Sequence, residues 1–252
     1  MGRASLVLGI AILVVVSTVL IGCGGGGTET GTLQFYANGE DFVRQGFVSK
    51  DGWSISFDHV YITLADVTAY QTDPPYDPHS DGAIQPEVEM GLDDVYTVDL
   101  AEGGEDAPPI LVGEVADAEA GHYNAIYWEM VRASSGPAAG HSIVIIGTAE
   151  KDGQVVDFTI SIDEECRYSC GEYVGDERKG ILQEDSIADL EMTFHFDHIF
   201  GDADTPLDDD LNLGAIGFEP FADAAEGDPV DINMTELHLG HVGEGHCYCL
   251  CE

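Results

Sequence analysis

The chain has 252 residues, of which 48 are Asp or Glu and 8 are Lys or Arg, for a formal net charge of −40. That balance excludes binding to nucleic acid and to anionic lipid headgroups, and it concentrates cations near the surface. A hydrophobic content of 44% excludes a disordered chain and suits a packed core. Adaptation to high salt produces the same acid excess, so acidity alone does not argue for a cation site.

Residues 1–22 form a lipoprotein signal peptide. Met1-Gly2-Arg3 supplies the basic start, Leu6 to Ile21 the apolar region, and Leu20-Ile21-Gly22-Cys23 matches the bacterial lipobox. The apolar stretch approaches the length of a membrane helix. A cysteine directly after the cut favours cleavage and lipid anchoring through Cys23, with residues 23–31 as lipidated Cys and Gly-rich tether. The expected location is exported and lipid-anchored, at the outer membrane or cell surface or in the periplasm. Setting Cys23 aside leaves five cysteines, Cys166, Cys170, Cys247, Cys249 and Cys251. An odd number leaves at least one thiol unpaired in a compartment where disulfides persist.

From residue 32 to 200 apolar alternation dominates and long helical periodicity is missing, which predicts an antiparallel β-sandwich. Strands are expected near 32–37, 53–70, 94–100, 122–132, 142–150, 155–162 and 187–197. Along 53–70 the face carrying Trp53, Ile55 and Phe57 gives way to Val60, Ile62 and Leu64, so a bulge is expected at Asp58 and His59. Asp152-Gly153 predicts a hairpin between 142–150 and 155–162. Cys166 and Cys170 are expected to close a local disulfide in the following loop. Residues 201–252 read as an acidic loop and a flexible His/Cys-rich tail, with one helical turn near Asn233 to Leu237 capped by Asn233 and ended by Gly240.

The run Trp53 to Thr68, then Val95-Tyr96-Thr97-Val98-Asp99-Leu100, then Ala120-Gly121-His122-Tyr123-Asn124-Ala125-Ile126, resembles a family of uncharacterised bacterial surface lipoproteins. The resemblance covers roughly residues 32–165. It implies a transthyretin-like or immunoglobulin-like sandwich at the cell surface and assigns no chemistry.

Two segments carry metal-ligand chemistry. Around Phe194-His195-Phe196-Asp197-His198, a strand through Asp197 puts His195 and Asp197 on one face about 7 Å apart along the chain, both within reach of one ion. His198 points inward unless the strand ends there. The tail holds His238, His241, His246, Cys247, Cys249 and Cys251 among glycines. Imidazole and thiolate are the ligands that zinc and copper prefer, so the two segments together are expected to form a transition-metal site, with Asp197 as ligand or orienting group. The expected partners are metal ions, the membrane through the lipid anchor, and a metal transporter.

The alternative is a calcium-dependent structural or adhesive surface module of a salt-adapted cell. Asp202-Ala203-Asp204 opens like a calcium loop, but Pro206 stands where an oxygen ligand belongs and neither the glycine nor the final glutamate follows. His59, His79, His122 and His141 read as ordinary surface or strand-end residues, with His59 at the bulge the one whose aim a bulge can change. There is no H-E-x-x-H, G-x-S-x-G or phosphate loop, so no enzyme activity and no catalytic residues are expected.

Overall fold

Alternating burial organises the molecule, and the computed structural model, which describes residues 28–80, 82–171, 179–224, 230, 232–242 and 246–252, contains 48% strand and 12% helix. The chain is all-β, as alternation predicts. Residues 1–22, Cys23 and the Gly24 to Gly27 tether lie outside the described residues. Among the described residues no helix is long and apolar enough to cross a membrane.

The first half runs β1 (Thr30–Asn38), α1 (Glu40–Gln45), β2 (Phe47–Val48), β3 (Ser54–Gln71), β4 (Val88–Gly91), β5 (Tyr96–Asp99), β6 (Ile110–Glu119), β7 (Gly121–His122) and β8 (Ala125–Met130). There follow β9 (Ile143–Lys151), β10 (Gln154–Ile162), β11 (Cys166–Gly171), β12 (Ile181–Leu182), β13 (Ile187–Phe194) and α2 (Asp197–Phe200). The chain ends with α3 (Asp210–Gly214), α4 (Glu219–Asp223), α5 (Met234–Leu237), β14 (Gly240–His241) and β15 (His246–Cys251).

Two sheets face each other in a sandwich-like arrangement. The smaller has the order β14-β13-β1-β6, and the larger runs β10-β9-β3-β8-β11-β15 with β2, β4 and β5 also paired to β3. In β1 every second residue is buried, placing Leu33, Phe35 and Ala37 on the core face, and β13 contributes Ala188, Leu190, Met192 and Phe194. Val60, Ile62 and Leu64 of β3 and Ile126, Trp128 and Met130 of β8 meet them from the larger sheet. Trp128 stacks on Tyr168 at 5.0 Å between ring centroids and meets Phe194 edge-on at 6.2 Å, joining the layers. Gly240 is required beside this stack, because a Cβ there would stand 2.9 Å from the Tyr168 ring.

The predicted hairpin forms in full register from Gln154↔Lys151 to Ile162↔Ile143. Asp152 and Gly153 both take positive φ (53° and 82°), the turn whose twist matches the flanking strands. The register of β3 against β9 shifts between Phe57 and His59, where the alternation breaks. A second shift, between Ala65 and Thr68 against β8, carries Asp66 at φ 51° and has no counterpart in the sequence pattern.

Within the mostly antiparallel sheets one strand pair among the described residues is parallel: β1 runs beside β13 in the same direction, from Thr32↔Ile187 to Asn38↔Thr193. Other expectations are corrected. The final segment is not a loose tail, since β14 joins the smaller sheet and β15 joins the larger one beside β11. Phe218, Met234, Leu237 and Leu239 share one core with Phe35 and Trp128, so a boundary at residue 200 does not divide the core. Asn233 caps α5 as expected by accepting from the Glu236 N–H, but the turn ends at His238 in the left-handed region (φ 48°), and Gly240 already belongs to β14.

Candidate metal centre

The parallel pairing of β1 and β13 fixes the place of the site. Both strands deliver their C-terminal ends to the same rim, with Asn38 opposite Thr193. Two residues further on each chain stand Glu40, which opens α1, and His195. The antiparallel partner β14 sets His241 opposite Thr193, so a third segment arrives at the same rim.

The strand ends at Phe194, earlier than expected, and Asp197 opens α2. His195 and Asp197 are therefore not neighbours on one strand face. The turn brings them closer than a strand would: His195 Nδ1 lies 3.6 Å from Asp197 Oδ1 and 3.0 Å from Glu40 Oε2. The ligand atoms of His195, Asp197 and His198 all fall within 4.8 Å of one another. His195 Nε2 contacts His241 Nε2, and the His195 ring is stacked with both His241 (4.3 Å) and His198 (5.0 Å).

Each group is held by the protein. The His195 backbone N–H donates to the Leu239 carbonyl, tying the strand end to the segment before β14 (2.8 Å). His198 Nδ1 lies 2.7 Å from the Leu237 carbonyl, which assigns the proton to that nitrogen and leaves Nε2 with its lone pair. A histidine oriented through one nitrogen by a backbone carbonyl is the usual arrangement behind a metal ligand. Asp197 is buried, and its Oδ1 has no hydrogen-bond partner. A buried anionic oxygen without a donor is costly unless a cation sits beside it. In the chain without metal that cation is His195. Burial works against its protonation, yet Asp197 and Glu40 outweigh burial and raise its pKa to about 9. Three imidazoles and two carboxylates thus converge where one positive charge is required, and a divalent metal would replace the proton.

The other candidate ligands are placed elsewhere. His238 is exposed at the end of α5 and stands outside the His195, Asp197 and His198 group. His246 opens β15, and its side chain lies outside the described residues. Cys247 and Cys251 are bonded to Cys170 and Cys166, so neither has a lone thiolate to offer a metal, and Cys249 is a buried thiol on β15. The expected Cys166–Cys170 bridge is corrected for a geometric reason. In an extended strand, residues four apart are separated by about 13 Å, beyond any disulfide, whereas the facing strand offers partners directly opposite.

Residues Asp202 to Asp210 do not gather their carboxylates around a point. The Asn212 side chain occupies the loop, donating to the carbonyls of Asp202 and Thr205 (both 2.9 Å) and accepting from the Asp202 N–H. The carbonyl oxygens that a calcium ion would draw on already accept from protein. His59 lies 2.7 Å from the Asp99 carboxylate and stacks on Tyr61, an exposed pair with no further ligand.

Glu40 was missed by sequence reasoning, and no local signal marks it. Only the parallel register, across a separation of 155 residues, brings it to His195. No protein-family model, no curated protein and no solved structure matches the chain.

Proposed function

We propose that this chain is an exported, lipid-anchored protein that captures or delivers a transition metal, zinc or copper. His195, His198 and His241 supply imidazole nitrogens, and Asp197 and Glu40 supply carboxylate to the ion or to the rings that hold it. The observation that carries the reading is the convergence of the His195 and His198 rings on Asp197, a buried carboxylate whose Oδ1 accepts no hydrogen bond, with His241 against His195. Nitrogen and oxygen donors suit zinc and copper(II), and of the sulfur ligands that would favour copper(I), four are tied up in disulfides and Cys249 is a buried thiol on β15, outside the His195, Asp197 and His198 group. Anchoring through Cys23 rests on the lipobox and implies an exported compartment, where a metal transporter is the natural partner. The calcium-dependent surface module draws on acidity alone, and no convergent oxygen site among the described residues favours it.

The test is competition of full-length protein against a chromophoric chelator for zinc and for copper(II). His241→Ala and the double variant His195→Ala, His198→Ala are each expected to weaken binding by at least about tenfold. Equal affinity in all proteins would defeat the proposal. Anchoring is tested separately: Cys23→Ala should release the protein from the membrane fraction, and retention of the variant there would count against the lipid.

A further inference from the structure

Away from the histidines, the pairing of β11 with β15 builds a second cluster. Cys166 stands opposite Cys251, Tyr168 opposite Cys249, and Cys170 opposite Cys247. Side chains two apart share a face of a strand, so these six lie on one face of the sheet. Cys166, Tyr168, Cys170 and Cys249 are buried on it. Two cross-strand disulfides, Cys166–Cys251 and Cys170–Cys247, flank Cys249, the free thiol among the described residues.

The thiol is not placed evenly between them. Cys249 Sγ is 3.6 Å from Cys251 Sγ, and the sulfurs of Cys166, Cys249 and Cys251 all lie within 4.8 Å of one another, a group that excludes Cys170 and Cys247. Cys251 is partly exposed, on an edge strand of the larger sheet. Directly opposite Cys249, the Tyr168 hydroxyl is buried, a donor placed beside the thiol sulfur.

We infer that Cys166, Cys249 and Cys251 form a thiol–disulfide exchange centre for thiol compounds, with Cys251 as the sulfur attacked from solvent and Cys249 as the internal resolving thiol. In the first step an external thiolate attacks Cys251 Sγ. The Cys166–Cys251 bond breaks, its electron pair leaves on Cys166, which takes up a proton, and a mixed disulfide remains on Cys251. In the second step Cys249 gives up its proton and its thiolate attacks Cys251 Sγ. The external thiolate leaves and takes up a proton, and a Cys249–Cys251 bond has formed. The net change is an isomerisation from Cys166–Cys251 to Cys249–Cys251 with the external thiol regenerated, so no oxidant or reductant is consumed. Residues two apart in a strand have Cα atoms about 6.6 Å apart, inside the range a disulfide spans. Burial raises the Cys249 pKa while the Tyr168 hydroxyl pulls it down, so the resting thiol stays protonated and the native bond persists until Cys251 is attacked.

The experiment exposes oxidised full-length protein to reduced glutathione under native, mildly alkaline conditions, followed by acid quenching, alkylation and disulfide mapping by mass spectrometry. Wild type should accumulate Cys249–Cys251 with alkylated Cys166 and little mixed disulfide. Cys249→Ser, with Cys249→Ala as a second variant and circular dichroism to confirm folding, should trap glutathione on Cys251 at least about tenfold more than wild type. Cys170–Cys247 should stay intact in every folded protein. Equal glutathione on Cys251 in wild type and folded variants would overturn the inference, and so would a Cys166–Cys251 bond that glutathione leaves untouched. Neither result bears on the histidine site.

Discussion

Asp51 shows how single residues hold the acidic region to the sandwich. Its carboxylate accepts from the Ser49 hydroxyl (2.6 Å) and from the backbone N–H of Glu219 (2.7 Å), the first residue of α4. Burial pushes its pKa up, but these hydrogen bonds outweigh burial and hold the carboxyl below its ordinary value. A depressed carboxylate adds stability above its unfolded pKa, and that stability is lost as pH falls through the lower folded value. Asp51→Asn should therefore cost about 1 kcal/mol at neutral pH, with the gap from wild type closing in acid. Urea unfolding of both proteins at neutral and acidic pH checks this; a gap that persists unchanged in acid would contradict it. At this scale most of the candidate metal site was legible. His195, Asp197 and His198 lie within four residues of one another, so local spacing exposes them, and His241 stands out among the ligands of the last segment. Glu40 reaches His195 only through strand register, which leaves no trace in neighbouring residues.

Among the elements, β15 is the one the sequence disguises. In His246-Cys247-Tyr248-Cys249-Leu250-Cys251 cysteine occupies every second position, and cysteine serves equally as metal ligand and as core residue. Composition favours the first meaning and alternation the second. The strand pairing decides for alternation, because β11 offers Cys166 and Cys170 at matching positions. Strand β6 escapes the sequence pattern for a different reason: Gly113 and Asp117 interrupt an edge strand whose outer face is largely exposed. The hairpin of β9 and β10 was fully legible, since Asp-Gly carries its own backbone preference. Docking β15 through Cys170–Cys247 closes a sequence separation of 77 residues. Cys166–Cys251 already closes the enclosing loop, so the second bridge constrains only the short segments between the two, and replacing Cys170 and Cys247 with alanine should cost about 2.5 kcal/mol. Chemical denaturation of the double variant measures this, and a loss below about 1 kcal/mol would show that packing and Cys166–Cys251 hold β15 without it.

For the molecule as a whole, a net charge of −40 opposes compaction. Two lysines sit where acidic segments must be drawn in. Lys50 Nζ donates to the carbonyls of Asn212 (2.8 Å) and Ala215, and Lys151 pairs with Glu219 (2.6 Å), which also accepts from Trp53 Nε1. Raising salt from about 0.1 M to about 1 M shortens the screening length from about 10 Å to about 3 Å, which relieves the repulsion more than it weakens these close, partly covered contacts. The unfolding midpoint in urea should rise with sodium chloride over that range; a midpoint that falls would show that the ion pairs dominate. The same field gathers cations without choosing among them, and in the proposed reading choice falls to the rim where β1, β13 and β14 end. Elemental analysis of full-length protein purified without chelators, beside the double variant His195→Ala, His198→Ala, tests the metal reading most directly. The expected result is a single equivalent of zinc or copper per wild-type chain, lost in the variant. A wild-type protein free of both metals, or a variant that keeps its metal, would contradict it.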